Sequence, residues 1–176
     1  MKHERLSWDD YFMGVANLIS KRSTCCRIQV GCVLVSVENK IISTGYNGVT
    51  KGAEHCYEYF RVKHEKLQDL FPDGKLEDFN DLSWNSYVKS NLFKNEHKLF
   101  SMENEVHAEA NALLGNSFQE MKNSTMYTTL SPCEDCAKLM KAAGVCRIVC
   151  KEIYDRDEGQ MALSFLKRNG VTVSIF

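Results

Sequence analysis

The residues with the most chemistry in them are His107-Ala108-Glu109 and, twenty-four positions after Glu109, the start of Cys133-Glu134-Asp135-Cys136, itself preceded by Pro132. One imidazole and two thiolates make three N/S ligands, the number a catalytic zinc takes when its fourth tetrahedral position is kept for water. Glu109 sits two residues past His107, where a carboxylate can reach a water on the metal rather than the metal, take its proton and hand it on. The competing reading is a closed structural zinc, with its fourth ligand drawn from the other cysteines.

These residues need helix starts to hold them. Ser131 reads as a helix cap with Pro132 at the first helical position, so Cys133 and Cys136 fall in one turn and on one side. The partial positive charge of a helix N-terminus favours the thiolate a metal requires. His107 opens a second helix through Ala108, Ala110, Ala112, Leu113 and Leu114. Upstream, Ser7 caps a helix with apolar positions Tyr11, Phe12, Val15, Leu18 and Ile19 that ends near Arg22. Ile28 to Val37 and Lys40 to Tyr46 read as an antiparallel hairpin turning at Glu38-Asn39, and Gly45-Tyr46-Asn47-Gly48 as the loop that breaks it.

From about 51 to 100 the pattern loosens into an irregular insertion with one or two helices, including 54 to 70, and a turn at Pro72-Asp73-Gly74. It reads as a lid or an oligomer contact. The second half alternates: strand Thr125 to Leu130, helix Cys133 to Ala143, strand Cys146 to Lys151, helix Gly159 to Lys167, strand Val171 to Phe176. Such alternation predicts an α/β fold with a mixed sheet between helices, in one domain over residues 1–176.

With 44% hydrophobic and 26% charged residues and a net charge of −1, the 176-residue chain reads as globular, without the basic footprint that a nucleic acid demands. A small anionic substrate needs only one or two local cations. No apolar run approaches membrane-spanning length, and Met1-Lys2-His3-Glu4-Arg5 lacks a secretion signal, so a cytoplasmic protein is expected, in the host cytoplasm if the source is viral. Eight cysteines in a reducing compartment point to metal binding or burial rather than disulfides. Cys32, Cys146 and Cys150 are expected in the core, His3 and His64 at the surface. Tyr57, Tyr59, Phe60, Trp84 and Tyr87 are expected to serve packing or subunit contacts.

Taken together, the chain resembles the deoxycytidylate (dCMP) deaminases of bacteriophage type, within the zinc-dependent cytidine/deoxycytidylate deaminases. The resemblance rests on Arg22-Ser23-Thr24-Cys25 leading to Val30-Gly31, Gly45-Tyr46-Asn47-Gly48, Asn104-Glu105-Val106-His107-Ala108-Glu109, Leu130 through Lys138, and Tyr154-Asp155. His-x-Glu followed by Pro-Cys-x-x-Cys is the signature of zinc nucleobase deaminases. The resemblance implies a cytidine-deaminase-like three-layer α/β/α sandwich with a mixed five-stranded sheet. It implies hydrolysis of dCMP to dUMP and ammonia, supplying dUMP for thymidylate synthesis, with attack at C4 of the base and Glu109 carrying the proton.

The same resemblance assigns His107, Cys133 and Cys136 to the catalytic zinc, Asn47 to the deoxyribose and Tyr154 to closure over the nucleotide. Arg27 is the candidate for the phosphate, set against a plainly solvated arginine. Ser131 either donates near the sugar or phosphate or merely caps its helix. A second, structural zinc is implied at Cys25, Cys56, His97 and Glu105, with Cys26 and His55 as adjacent substitutes and metal-free burial as the alternative. Members of the family are commonly hexamers controlled by dCTP and by dTTP with magnesium, through the loop in which Gly48 and Lys51 lie. Here Thr50 stands where that loop usually has proline, so the preset backbone angle is absent. Deamination of another base, cytidine or adenosine in RNA, and an inactive zinc-stabilised binding module are the competing functions.

Overall fold

The computed structural model describes residues 5–72 and 83–176, without the side chains of residues 155 and 156; His3 lies outside them. In chain order the elements are α1 (Trp8–Ser20), β1 (Gly31–Val35), β2 (Ile41–Tyr46), β3 (Gly48–Val49), α2 (Cys56–Leu70), α3 (Trp84–Lys89), α4 (Asn91–Asn104) and β4 (Glu105–Val106). Then follow α5 (Ala108–Leu113), α6 (Phe118–Met121), β5 (Thr125–Leu130), α7 (Glu134–Ala142), β6 (Arg147–Glu152), a π-turn over Asp155–Gly159, α8 (Gln160–Arg168) and β7 (Thr172–Ile175). The chain forms two compact units. One runs to Ser23 and resumes at Gln29–Asn47 and His107–Phe176; the other comprises Thr24–Ile28 and Gly48–Val106.

The first unit holds a five-stranded sheet in the order β2-β1-β5-β6-β7. β2, β1 and β5 are antiparallel neighbours, and β5, β6 and β7 parallel ones, so the sheet is mixed. Both faces are covered at the centre of the sheet, where β1 is buried along its whole length and β5 and β6 at their middles, while the edge strands β2 and β7 stay partly exposed. Their alternation assigns each side chain to one face: Cys32, Leu34, Met126, Ile148 and Cys150 pack with residues of α5, α7 and α8. Val33, Val35, Tyr127 and Val149 pack on Phe12, Met13 and Ala16 of α1. Three layers result.

Local signals set the elements. Ser7 caps α1, its Oγ accepting the Asp10 N–H at 3.1 Å, and Asp9 and Asp10 complement the helix dipole. Asn39 turns the hairpin in the left-handed region, φ 58°. Two glycines let helices approach the hairpin from opposite sides. A Cβ on Gly31 would lie 2.2 Å from the Ala16 carbonyl oxygen in α1, and one on Gly45 would lie 2.1 Å from that of Ala108 in α5. Gly45 and Tyr46 therefore continue β2 instead of breaking it.

In the second unit the expected irregular stretch is more helical than its composition suggests. α2 follows the expected span, and α3 and α4 are added, each capped by a serine hydroxyl, Ser83 and Ser90. Its core is aromatic: Phe60, Tyr87, Phe93 and Phe100 are buried with Cys25 and Cys56. His64, expected at the surface, is 3% exposed. It falls four residues after Phe60 and eight after Cys56, on the inward stripe of α2, and packs edge-to-face with Trp84 and tilted against Tyr87. Cys146, expected in the core, is exposed because β6 starts one residue later. No helix among the described residues is long and apolar enough to cross a membrane.

Candidate metal centres and active site

His107, Cys133 and Cys136 converge in the first unit at two helix starts. His107 is the N-cap of α5. Its Nδ1 lies 3.4 Å from the Sγ of Cys133 and 3.4 Å from the Sγ of Cys136. A tetrahedral zinc with Zn–N and Zn–S bonds of about 2.05 and 2.3 Å separates N from S by about 3.5 Å. The donors thus fit the ion in type and spacing. No disulfide joins the two sulfurs. His107 is exposed, Cys133 half-buried and Cys136 buried, so the trio opens toward solvent on its imidazole side.

The helix entry differs from the expected one. Cys133 itself is the N-cap of α7, its Sγ accepting the Cys136 N–H at 3.4 Å. Ser131 is not a cap: it is buried, its N–H donates to the Glu152 carbonyl and its Oγ accepts the Tyr154 N–H at 2.9 Å. The extended backbone needed to deliver Cys133 from the end of β5 moves the cap two residues downstream. The hydrogen bond from Cys136 first, and then that with His107, hold the Cys133 thiol well below its usual range, to about 4. The same thiol–thiolate hydrogen bond, ahead of burial, pushes the Cys136 thiol up.

Glu109 stands outside the trio and is 4% exposed. Burial lifts its carboxyl to about 7, against the lowering effects of its own backbone and of His107. A carboxyl near neutrality can both take and give a proton. Its helix is seated by Gly45 and by Asn111, whose Nδ2 donates to the Tyr46 carbonyl at 2.8 Å. Asn111 was missed in the sequence; a lone amide four residues after His107 in an Ala/Leu helix was the available signal. Asn47 is buried, its Oδ1 accepting the Val30 N–H at 2.8 Å with the Ser23 hydroxyl at 2.7 Å, which fixes the amide. Tyr154 is 37% exposed in the loop after β6. The site lies at the carboxyl ends of the parallel strands β5 and β6.

The second unit brings together Cys25, Cys56, His97 and Glu105, their ligand atoms all within 4.8 Å of one another. The Cys25 Sγ is 3.1 Å from His97 Nε2. The Glu105 Oε1 and the His97 Nδ1 are buried with no hydrogen-bond partner among the described residues, while Glu105 Oε2 accepts from Ser101. A carboxylate oxygen buried without a donor is costly unless a cation meets it. For Cys56, the Cys25 hydrogen bond acts downward but is outweighed by the Cys26 bond and burial, leaving the thiol pushed up to about 12. Such neutral thiols are what a cation would convert to thiolates. Arg27 and Lys51 are exposed residues of this unit. Gly48 pairs with Val106, and a Cβ on it would strike Thr24 Oγ1.

Residues 6–152 match the family model described as the cytidine and deoxycytidylate deaminase zinc-binding region. The deoxycytidylate deaminase of Enterobacteria phage T4 is 35% identical, over 82% of this chain and 77% of the phage protein. The Homo sapiens deoxycytidylate deaminase is 30% identical, over 99% of this chain and 83% of the human one. Among solved structures, the dCMP deaminase of cyanophage S-TIM5 in complex with dCMP and dUMP superposes with a TM-score of 0.63 at 25% identity, covering 99% of this chain and 100% of that one.

Proposed function

This chain belongs to the cytidine and deoxycytidylate deaminase family, and from that premise we propose that it hydrolyses dCMP to dUMP and ammonia. The observation that carries the reading is the pair of 3.4 Å approaches of Cys133 and Cys136 to His107 Nδ1 beside a buried carboxyl that takes no part in the trio. Relatives of that activity match across most of both chains, and the S-TIM5 enzyme holds dCMP and dUMP.

His107, Cys133 and Cys136 would hold zinc, which when bound supplies a Lewis acid that acidifies water toward neutral pH. Glu109 takes a proton from the water that adds to C4, delivers it to N3 and passes the second to the departing amine. Asn47 holds the deoxyribose, and Tyr154 closes over the nucleotide from a backbone tied to Ser131. Arg27 meets the phosphate, since a buried dianion without partners is very costly. Cys25, Cys56, His97 and Glu105 hold a second, structural zinc, supported by their closure to four donors and by the orphaned Glu105 oxygen. The enzyme works in the cytoplasm as a hexamer supplying dUMP for thymidylate, with dCTP and magnesium–dTTP acting through Gly48 and Lys51.

Incubation of the zinc-loaded protein with dCMP, dCTP, cytidine and deoxycytidine, followed by loss of cytosine absorbance, tests the substrate. Highest kcat/KM on dCMP is expected. Turnover of the nucleosides alone, or of nothing, overturns the reading.

A further inference from the structure

Cys26 is left over by both ligand sets, yet it is not isolated. Its Sγ lies 3.3 Å from the Sγ of Cys56, thirty residues away along the chain. Cys26 is not a fifth donor to the second centre, because it falls outside the cluster whose ligand atoms are mutually within 4.8 Å. It packs against the aromatic core of this unit with its sulfur on that of Cys56, and exposure differs across the contact: Cys56 is fully buried while Cys26 is half-exposed. An accessible thiol is therefore backed by a sealed one that also serves as a ligand.

We propose that Cys26 and Cys56 form an oxidisable pair, and that a hydroperoxide converts them into a disulfide that takes Cys56 out of the second metal's ligand set. This inference rests on the four-donor reading of that centre. The Cys26 thiolate attacks a peroxide oxygen, the O–O bond breaks, hydroxide or alkoxide leaves, and Cys26 becomes a sulfenic acid. The Cys56 thiolate then attacks the Cys26 sulfur, the S–O bond breaks, and a second hydroxide leaves. Two sulfurs lose two electrons and one peroxide gains them. The sulfurs must close from 3.3 Å to about 2.05 Å, a movement of about 1.3 Å shared by two side chains. A disulfide sulfur carries no charge to give a cation, so Cys25, His97 and Glu105 are left to hold the ion with three donors and one negative charge fewer.

The test uses the full chain, reduced and zinc-loaded. Zinc is counted first, with Cys133→Ser beside it. Two ions per chain falling to one in that variant uphold the second centre; one falling to none overturns it, and the metal-release part of the proposal with it, before any oxidant is added. Hydrogen peroxide is then titrated in, released zinc is read with a chromogenic chelator, and disulfides are mapped by mass spectrometry. A Cys26–Cys56 linked peptide, loss of one zinc, and recovery with dithiothreitol and zinc are expected. Cys26→Ser, with Cys26→Ala as its companion, should slow that release about tenfold or more. Release from both variants at the wild-type rate, or cross-links confined to Cys25–Cys56 or Cys133–Cys136, would overturn the pair.

Discussion

The Tyr154 N–H donates to Ser131 Oγ at 2.9 Å, and the Ser131 N–H donates to the Glu152 carbonyl at 2.8 Å, so one buried serine laces the ends of β5 and β6 together. Ser131→Ala removes the acceptor for Tyr154 and should cost about 1–2 kcal/mol. It should raise KM for dCMP more than it lowers kcat, because it loosens the residue proposed to close over the nucleotide. Steady-state kinetics and thermal unfolding check this; an unchanged KM would remove Tyr154 from that role.

Glu109→Gln keeps the shape of the buried side chain while abolishing its proton transfer. Turnover should fall by about 10²–10⁴-fold, with the zinc content of the protein unchanged by elemental analysis. Activity near wild type in the zinc-loaded variant would mean that another group moves the proton.

Gly45→Ala places a methyl 2.1 Å from the Ala108 carbonyl, between His107 and Glu109 in sequence. A cost of about 1–3 kcal/mol is expected from the overpacking, together with lost activity as α5 is displaced. Gly14→Ala is the matched control. Gly14 is an exposed position of α1 with nothing within 4 Å of the added carbon, so it should stabilise by about 0.5–1 kcal/mol. Urea unfolding of both variants decides; equal effects would deny the close approach.

Arg147 grips Asp9 through two nitrogens, at 2.9 and 2.7 Å, and the Tyr127 hydroxyl donates to the same carboxylate at 2.8 Å. The hydrogen bonds from Arg147, ahead of that from Tyr127, hold the Asp9 carboxyl below its ordinary 3.8. Because the folded value is the lower one, the stabilisation is fully present above the unfolded value and disappears as pH falls through the folded one. Unfolding midpoints should therefore drop below about pH 4, and Asp9→Asn should flatten that part of the curve. A variant with the wild-type acid limb would show that other carboxylates govern it.

His97→Ala should lower bound zinc from two ions per chain to one while the ion on His107, Cys133 and Cys136 stays. Stability should fall by more than a surface substitution costs, since Phe60 and Phe93 of the second unit's aromatic core pack on this ligand's ring. Elemental analysis beside calorimetry separates the outcomes; two zincs retained would exclude His97 as a ligand.

The sequence exposed most of what local rules control. Ser7 as a cap, the hairpin around Asn39, the strand Thr125–Leu130 and the helix opening at His107 all follow from turn chemistry, capping and periodicity. Both ligand clusters were legible through the family resemblance, and the donors do converge as two groups. What escaped depends on three-dimensional neighbours. Whether Gly45 ends a strand or admits a helix is decided by α5, more than sixty positions away. His64 reads as polar until the α2 stripe is drawn through Cys56 and Phe60. Ser131 has the composition of a cap, and only the loop returning from β6 shows it spent on Tyr154.

Cys133 serves twice, closing the first turn of α7 with its sulfur and offering that sulfur to the ion. The N–H bond and the metal draw on different lone pairs of one sulfur, so the closed turn already holds the thiolate where the ion needs it. A chain emerging in zinc-poor surroundings should therefore build this turn first and gain its working ion afterwards, without refolding.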